Sequence, residues 1–235
     1  MPITTVLFDL DGTLLPMDQD IFVKEYFSRI AGKLAPQGYE PKKLVDTIWR
    51  GTGAMVKNDG SISNEEAFWK VAVAVYGDRI VKDKHFFDAF YETEFAKIKA
   101  VCGYHPAAAG IVHSLKEKGL RVVLATNPIF PARATQWRIQ WTGLAPEDFE
   151  LYTTYENSRF CKPNLDYYRD ILAQLNVNAE ECLMVGNDVG EDMVAANLGM
   201  KVFLLTDCLI NRTGADISRY PHGSFAELAA FIEMI

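Results

Sequence analysis

Asp9 and Asp11 stand two residues apart in the string Asp9-Leu10-Asp11-Gly12-Thr13-Leu14. Paired carboxylates suit nucleophilic attack, proton transfer or the holding of a hard cation. Further along lie Thr126-Asn127, whose hydroxyl and amide can donate hydrogen bonds to an anion, and Lys162-Pro163, whose amine can offset its charge. An acidic segment follows, Gly186-Asn187-Asp188-Val189-Gly190-Glu191-Asp192. Each signal is modest alone. Two aspartates beside Gly-Thr form turns, Thr126 can end a strand, Asn127 can serve a turn before Pro128, and Asp188 or Asp192 can serve the start of a helix. Their order along one chain singles them out.

The elements that must position these residues follow from periodicity. Ile3–Leu10 is nearly all apolar, as a buried parallel strand requires, and it ends in the turn signal Asp11-Gly12-Thr13. Beyond about residue 100, strands are predicted at Arg121–Ala125, Leu151–Thr154, Cys182–Val185 and Lys201–Leu205. They alternate with helices at Pro106–Lys118, Pro131–Trp141, Asn164–Leu175, Glu191–Leu198 and Ser224–Ile235. That alternation implies an α/β fold, a parallel sheet with helices on both faces. In such a sheet ligands bind beyond the carboxyl ends of the strands, which is where every residue named above falls. Between Asp18 and Lys99 apolar residues recur at helical spacing, with Pro41 at a helix start and Ser63…Glu66 as a capping box. Gly51-Thr52-Gly53 and Asn58-Asp59-Gly60 are expected to interrupt the helices, and Val71–Val75 also has strand character. A core of residues 1–16 and 100–235, split by an inserted helical domain of residues 17–99, accounts for the whole pattern.

The 235 residues carry 24 Lys plus Arg against 31 Asp plus Glu, a net charge of −7. That balance excludes the basic surface expected of nucleic-acid or anionic-membrane binding. No apolar run approaches the ~20 residues of a membrane span, and the first residues have no signal-peptide pattern. Four scattered cysteines without a CxxC fit a reduced, cytoplasmic protein. His105 and His113 lack a carboxylate at zinc-site spacing and read as structural. Cys161 beside Lys162 reads as a bystander, and the stripe Phe86, Phe87, Phe90, Tyr91 and Phe95 as helical core. Trp49 and Arg50 lead into a solvated connector, and 206–221 carries no motif. Oligomeric state is not legible.

The ordered set Asp9-x-Asp11-Gly-Thr13-Leu, Thr126, Lys162-Pro163 and Gly186–Asp192 resembles the haloacid dehalogenase-like hydrolase superfamily, in its aspartate-nucleophile phosphatase branch. The resemblance implies a Rossmann-like parallel-sheet core with an inserted all-helical cap domain of the C1 type. It implies a Mg²⁺-dependent phosphomonoesterase that acts on a small phosphorylated metabolite through an aspartyl-phosphate. Asp9 then corresponds to the nucleophile and Asp11 to the general acid/base, its backbone carbonyl on the metal. Thr13, Thr126 and Asn127 bind the phosphoryl group, Lys162 offsets its charge, and Asp192 orients Lys162 or the metal shell. The metal's second side-chain ligand is Asp188 or Asn187, since Asn187 stands where many relatives have Asp. The chemistry is consistent: a dianionic ester resists an anionic nucleophile unless a cation intervenes, and Mg²⁺ prefers oxygen ligands. The turn at Gly12-Thr13 is expected to aim its N–H groups at phosphoryl oxygens. Asp11 disfavours dehalogenase or phosphonatase chemistry. A phosphomutase, or a non-catalytic ligand-binding or regulatory protein of the same fold, are the alternatives.

Overall fold

The computed structural model describes residues 1–234. Six strands form one sheet: β1 (Thr5–Phe8), β2 (Arg121–Leu124), β3 (Leu151–Tyr152), β4 (Cys182–Gly186), β5 (Lys201–Leu205) and β6 (His222–Gly223). Their order is β3-β2-β1-β4-β5-β6 and every pair is parallel. β1 is central and buried throughout, which is why its run is continuously apolar rather than alternating. Its side chains still divide between the faces. Val6 and Phe8 pack with β2 residues Val122 and Leu124 in one cluster, and Leu7 packs with Val123 and Met184 in the other.

Nine α-helices accompany the sheet among the described residues. Five lie between β1 and β2: α1 (Gln19–Leu34), α2 (Pro41–Val56), α3 (Asn64–Tyr76), α4 (Arg79–Lys82) and α5 (Lys84–Thr93). A 3₁₀ stretch, Phe95–Val101, returns the chain. The outgoing and returning strands of chain run side by side, with Gly103 N–H donating to Pro16 O at 2.7 Å. The remaining helices are α6 (Pro106–Glu117), α7 (Ala132–Trp141), α8 (Leu165–Leu175) and α9 (Phe225–Ile232). α6, α7 and α9 cover one face of the sheet, and α8 covers the other. The first of these two cores continues into the helical insertion, where Phe95 stacks on Trp141 of α7 at 5.7 Å.

Local rules explain most of the helix boundaries. Asp18 caps α1 by accepting from Asp20 and Ile21 N–H, and Glu40 caps α2 ahead of Pro41. The expected capping box opens α3: Ser63 Oγ accepts from Glu66 N–H at 3.1 Å and Glu66 accepts from Ser63 N–H at 2.8 Å. Two expectations are corrected. Gly51-Thr52-Gly53 does not interrupt a helix. α2 runs through it, because α3 lies so close that a Cβ at Gly51 would collide with Phe68. The helical reading of Val71–Val75 holds despite its strand character, since the segment lies inside α3. The segment expected as a helix over Glu191–Leu198 is a tight turn followed by a 3₁₀ stretch, Met193–Leu198. Asp188 accepts there from Gly190 and Glu191 N–H, and Asp192 from Asp188 N–H, which close the turn ahead of the 3₁₀ stretch. β6, two residues long, is too short to leave a periodic signal. Of the predicted closing helix, Ile235 lies outside the described residues.

Candidate active site

Parallel strands end on one edge, and the chemistry-bearing residues gather there. Asp9 follows β1 directly, and its N–H still donates to Val185 O of β4 at 2.9 Å. Its carboxylate is held from two sides. Lys162 Nζ meets Oδ1 at 2.9 Å, and the Thr13 hydroxyl meets Oδ2 at 3.1 Å. The same hydroxyl lies 3.0 Å from Asn187 Oδ1, so one proton serves two oxygens in turn. The loop between Leu10 and Leu15 is closed by its own backbone: Gly12 N–H donates to Leu15 O and Thr13 N–H to Leu10 O. Those two donors are thus spent inside the turn, a correction to the expectation that they face a phosphoryl group. Gly12 sits at φ +88°, and a Cβ there would collide with the Asn187 amide.

Lys162 and Asp192 form the buried base of the site, each side chain 1% exposed and their charged atoms 2.7 Å apart. Burial opposes the Lys162 charge, yet Asp192 and Asp9 more than reverse that and raise its pKa well above the ordinary value. Burial pushes the Asp192 carboxyl up to about 7 against the pull of Lys162. One ammonium therefore faces two carboxylates. Asp192 also accepts from Asp188 N–H at 2.9 Å, which ties the acidic segment to Lys162.

Asp11 is gripped by Arg138, a residue of α7 that is 1% exposed. The guanidinium also donates to Ala134 O and Thr135 Oγ1, each at 3.2 Å, and lies over the Phe130 ring. Asp11 Oδ1 has no hydrogen-bond partner among the described residues. Burial raises the Asp11 carboxyl above the usual range despite Arg138. Asp188 Oδ1 accepts from Gly190 and Glu191 N–H, and its Oδ2 pairs with Arg212 at 2.7 Å. Asn187 donates to Cys208 O at 2.6 Å. Asn127 donates to Glu191 at 3.0 Å and accepts from Lys162 N–H at 3.3 Å, so its amide joins two loops. Thr126 is anchored through its carbonyl, which accepts from Thr153 and Tyr167 hydroxyls. Asp9, Asp11, Thr126, Asn127, Asn187, Asp188 and Asp192 all line one cavity of about 220 Å³ that extends into the helical insertion.

The donor set fits a hard cation. Asp9 and Asn187 present oxygens to the same hydroxyl, and among the described residues no His or Cys lines the cavity. Among the described residues no three His, Cys, Asp or Glu side chains converge as a metal cage. Mg²⁺ does not need one, since it binds through one or two carboxylates and keeps several waters.

A match to the haloacid dehalogenase-like hydrolase family spans residues 3–199. The chain belongs to this family. The phosphoglycolate phosphatase of Colwellia psychrerythraea is 31% identical over 195 residues, covering 81% of this chain and 78% of that protein. The crystal structure of a predicted phosphoglycolate phosphatase from Haemophilus somnus 129PT has a TM-score of 0.60 at 17% identity, over 98% of each chain. The HAD-hydrolase YfnB of Bacillus subtilis, solved bound to magnesium, has a TM-score of 0.56 at 14% identity, over 99% of each chain. The two structural likenesses establish the fold, an α/β parallel-sheet core.

In this haloacid dehalogenase-like hydrolase, all nine residues singled out in the sequence reach one edge of the sheet. Three contributors were missed. Arg138 had no signal beyond one arginine on an apolar helix face. Arg212 and the Cys208 carbonyl come from the segment that carried no motif, which folds back on Asp188 and Asn187. His105 is structural, accepting from Ala107 N–H to cap α6 and stacking on Phe225, and half-exposed His113 faces Asp148 at the surface. Cys161 is a bystander, because the adjacent ammonium is committed to Asp9 and Asp192 while burial pushes its thiol up to about 12. Burial likewise pushes Cys102 up to about 12 and Cys182 to about 11. Native protein treated with iodoacetamide at pH 8 is therefore expected to label first at half-exposed Cys208, and at Cys161 only after unfolding. Peptide mapping of the alkylated protein checks this. Early labelling at Cys161 would show that its thiol is accessible and activated.

Proposed function

We propose that the protein is a phosphomonoesterase that requires Mg²⁺ and works through an aspartyl-phosphate on Asp9. The observation that carries this reading is the Asp9 carboxylate itself. It stands at the end of the central strand, held by Lys162 and Thr13, with Asp11 two residues on along the same cavity wall. Fixing both oxygens aims the nucleophile without a search over rotamers. Lys162 offsets the charge that gathers as an anionic carboxylate approaches a dianionic ester. Asp11, whose burial favours the protonated acid, gives its proton to the leaving oxygen and then takes one from the water that opens the acyl phosphate. Arg138 orients it. Thr126 lies on the wall where its hydroxyl meets phosphoryl oxygens, and Asn127 fixes the loops on either side. Asp9, the Asp11 carbonyl, and Asn187 or Asp188 would hold Mg²⁺, which supplies charge neutralisation at the phosphate. Asn187 is the better placed of that pair, since Asp188 already serves Arg212 and two backbone donors.

We further read residues 17–99 as a cap domain on a core of 1–16 and 100–235. The cavity reaches from the catalytic edge into α1, α2, α3 and α5, so these helices exclude water from the acyl-phosphate step. The phosphoglycolate phosphatase relative supports a small phosphate monoester as substrate. The test is phosphate release from p-nitrophenyl phosphate with Mg²⁺ and with EDTA. Release with Mg²⁺ that falls at least about 10²-fold in EDTA is expected. Equal rates in both would refute the metal requirement.

A further inference from the structure

The cavity above Asp9 and Asp11 has aromatic walls. α1 contributes Phe22 and Phe27, α2 Trp49, α3 Phe68 and Trp69, and α5 Tyr91. Phe27 and Trp49 lie 5.2 Å apart, and Phe68 meets Trp69 edge-on at 5.5 Å. The phenols on this wall are satisfied by each other: Tyr26 and Tyr91 hydroxyls are 2.9 Å apart. Burial pushes the Tyr26 hydroxyl up to about 12 and Tyr91 well above its ordinary value, so both stay neutral.

Charge points the same way. Among the described residues the single Lys or Arg on the cavity wall is Arg212, and Asp188 already holds it at 2.7 Å. No cation of the helical insertion lines the cavity. Arg29 is paired with Glu25 and Lys42 with Asp46, each at 2.6 Å. α5 adds another carboxylate, Asp88. An anionic group carried into this space would lose its hydration and find no free cation among the described residues to offset its charge.

We infer that the ester's leaving group is uncharged and aromatic or otherwise bulky and apolar, seated between α1, α2, α3 and α5, and that an anionic leaving group is rejected. This rests on the phosphatase reading above. Flat rings gain from edge-on and tilted neighbours as well as from burial, and the cavity of about 220 Å³ suits one or two rings rather than a polymer.

The experiment compares kcat/KM for 1-naphthyl phosphate and 2-phosphoglycolate with Mg²⁺ present. A preference of about 10²-fold for the naphthyl ester is expected. Equal values, or a preference for phosphoglycolate, would overturn the inference and leave the phosphatase reading standing. Phosphate from neither compound and none from p-nitrophenyl phosphate removes the phosphatase reading and the inference with it. Phosphate from p-nitrophenyl phosphate alone leaves that reading standing, and 1-naphthylphosphonate then decides the inference: a raised Tm supports the aromatic seat, and an unchanged Tm overturns it. Two variants separate specificity from folding. Trp49 is 53% exposed at the rim, and Trp49→Ala should lower the naphthyl-to-phosphoglycolate ratio about tenfold, mainly through KM. Val23→Arg, which places a cation on half-buried wall of α1, should shift the ratio toward phosphoglycolate. A ratio unmoved by both would count against the seat.

Discussion

Lys162→Met is expected to lower the stability of the fold by about 3–5 kcal/mol at pH 7. Lys162 and Asp192 are each 1% exposed, and the ammonium is within 2.9 Å of Asp9 and 2.7 Å of Asp192. Methionine keeps the volume of the stem and removes the charge, so two buried carboxylates lose their shared partner. The deficit should shrink at acid pH. An unfolded Asp titrates near 3.9, whereas Asp192 is already raised to about 7 in the folded chain and rises further without Lys162. A raised folded pKa means that the native state holds a proton which the unfolded state has released. Its contribution is complete below the unfolded value and is lost as pH climbs through the folded one. Urea unfolding followed by far-ultraviolet circular dichroism at pH 5 and pH 7.5 reads this directly. An equal deficit at both would show that the lysine acts through packing. Lys162→Met combined with Asp192→Asn should recover part of the loss, because the second change removes one stranded charge.

Asp9→Asn is expected to lower phosphate release at least about 10⁴-fold while the fold is kept or strengthened. The amide has nearly the same shape and can still accept from Thr13, but it cannot serve as an anionic nucleophile. Stability should not fall, because Lys162 retains Asp192 and one of two mutually repelling carboxylates has gone. The check is paired: phosphate release from p-nitrophenyl phosphate, and a thermal melt. Substantial turnover in the variant would remove Asp9 as nucleophile. Lost turnover with a collapsed Tm would mean that the carboxylate was structural first.

The candidate site was legible because its residues sit at the ends of readable elements. Ile3–Leu10 is apolar enough to be a central strand, so Asp9 and Asp11 had to emerge where a parallel sheet binds ligands. Lys162 is less obvious, as an isolated lysine is ordinarily on the surface, and only its order after Thr126 and before the acidic segment gave it meaning. Arg138 shows the limit. Nothing local distinguishes it from any arginine on a helix, since its role arises from Asp11, 127 residues away in the chain. The 206–221 segment was opaque for the same reason. It supplies Arg212 and the Cys208 carbonyl through irregular backbone, which carries no period.

The α/β class, the parallel strands, the helical insertion and the family were legible in residue order, because strand burial, helix caps and the DxDGTL string are short-range features. Residue order also indicated which carboxylates, hydroxyls and amines gather at the carboxyl edge of the sheet. How they share their protons and charges was not legible in that order. That Lys162 lies beneath two carboxylates, that Thr13 divides one hydrogen between Asp9 and Asn187, and that the cavity wall is aromatic and short of free cations are consequences of packing. Buried electrostatics depend on distance and desolvation across the whole fold, and neither quantity is written in residue order.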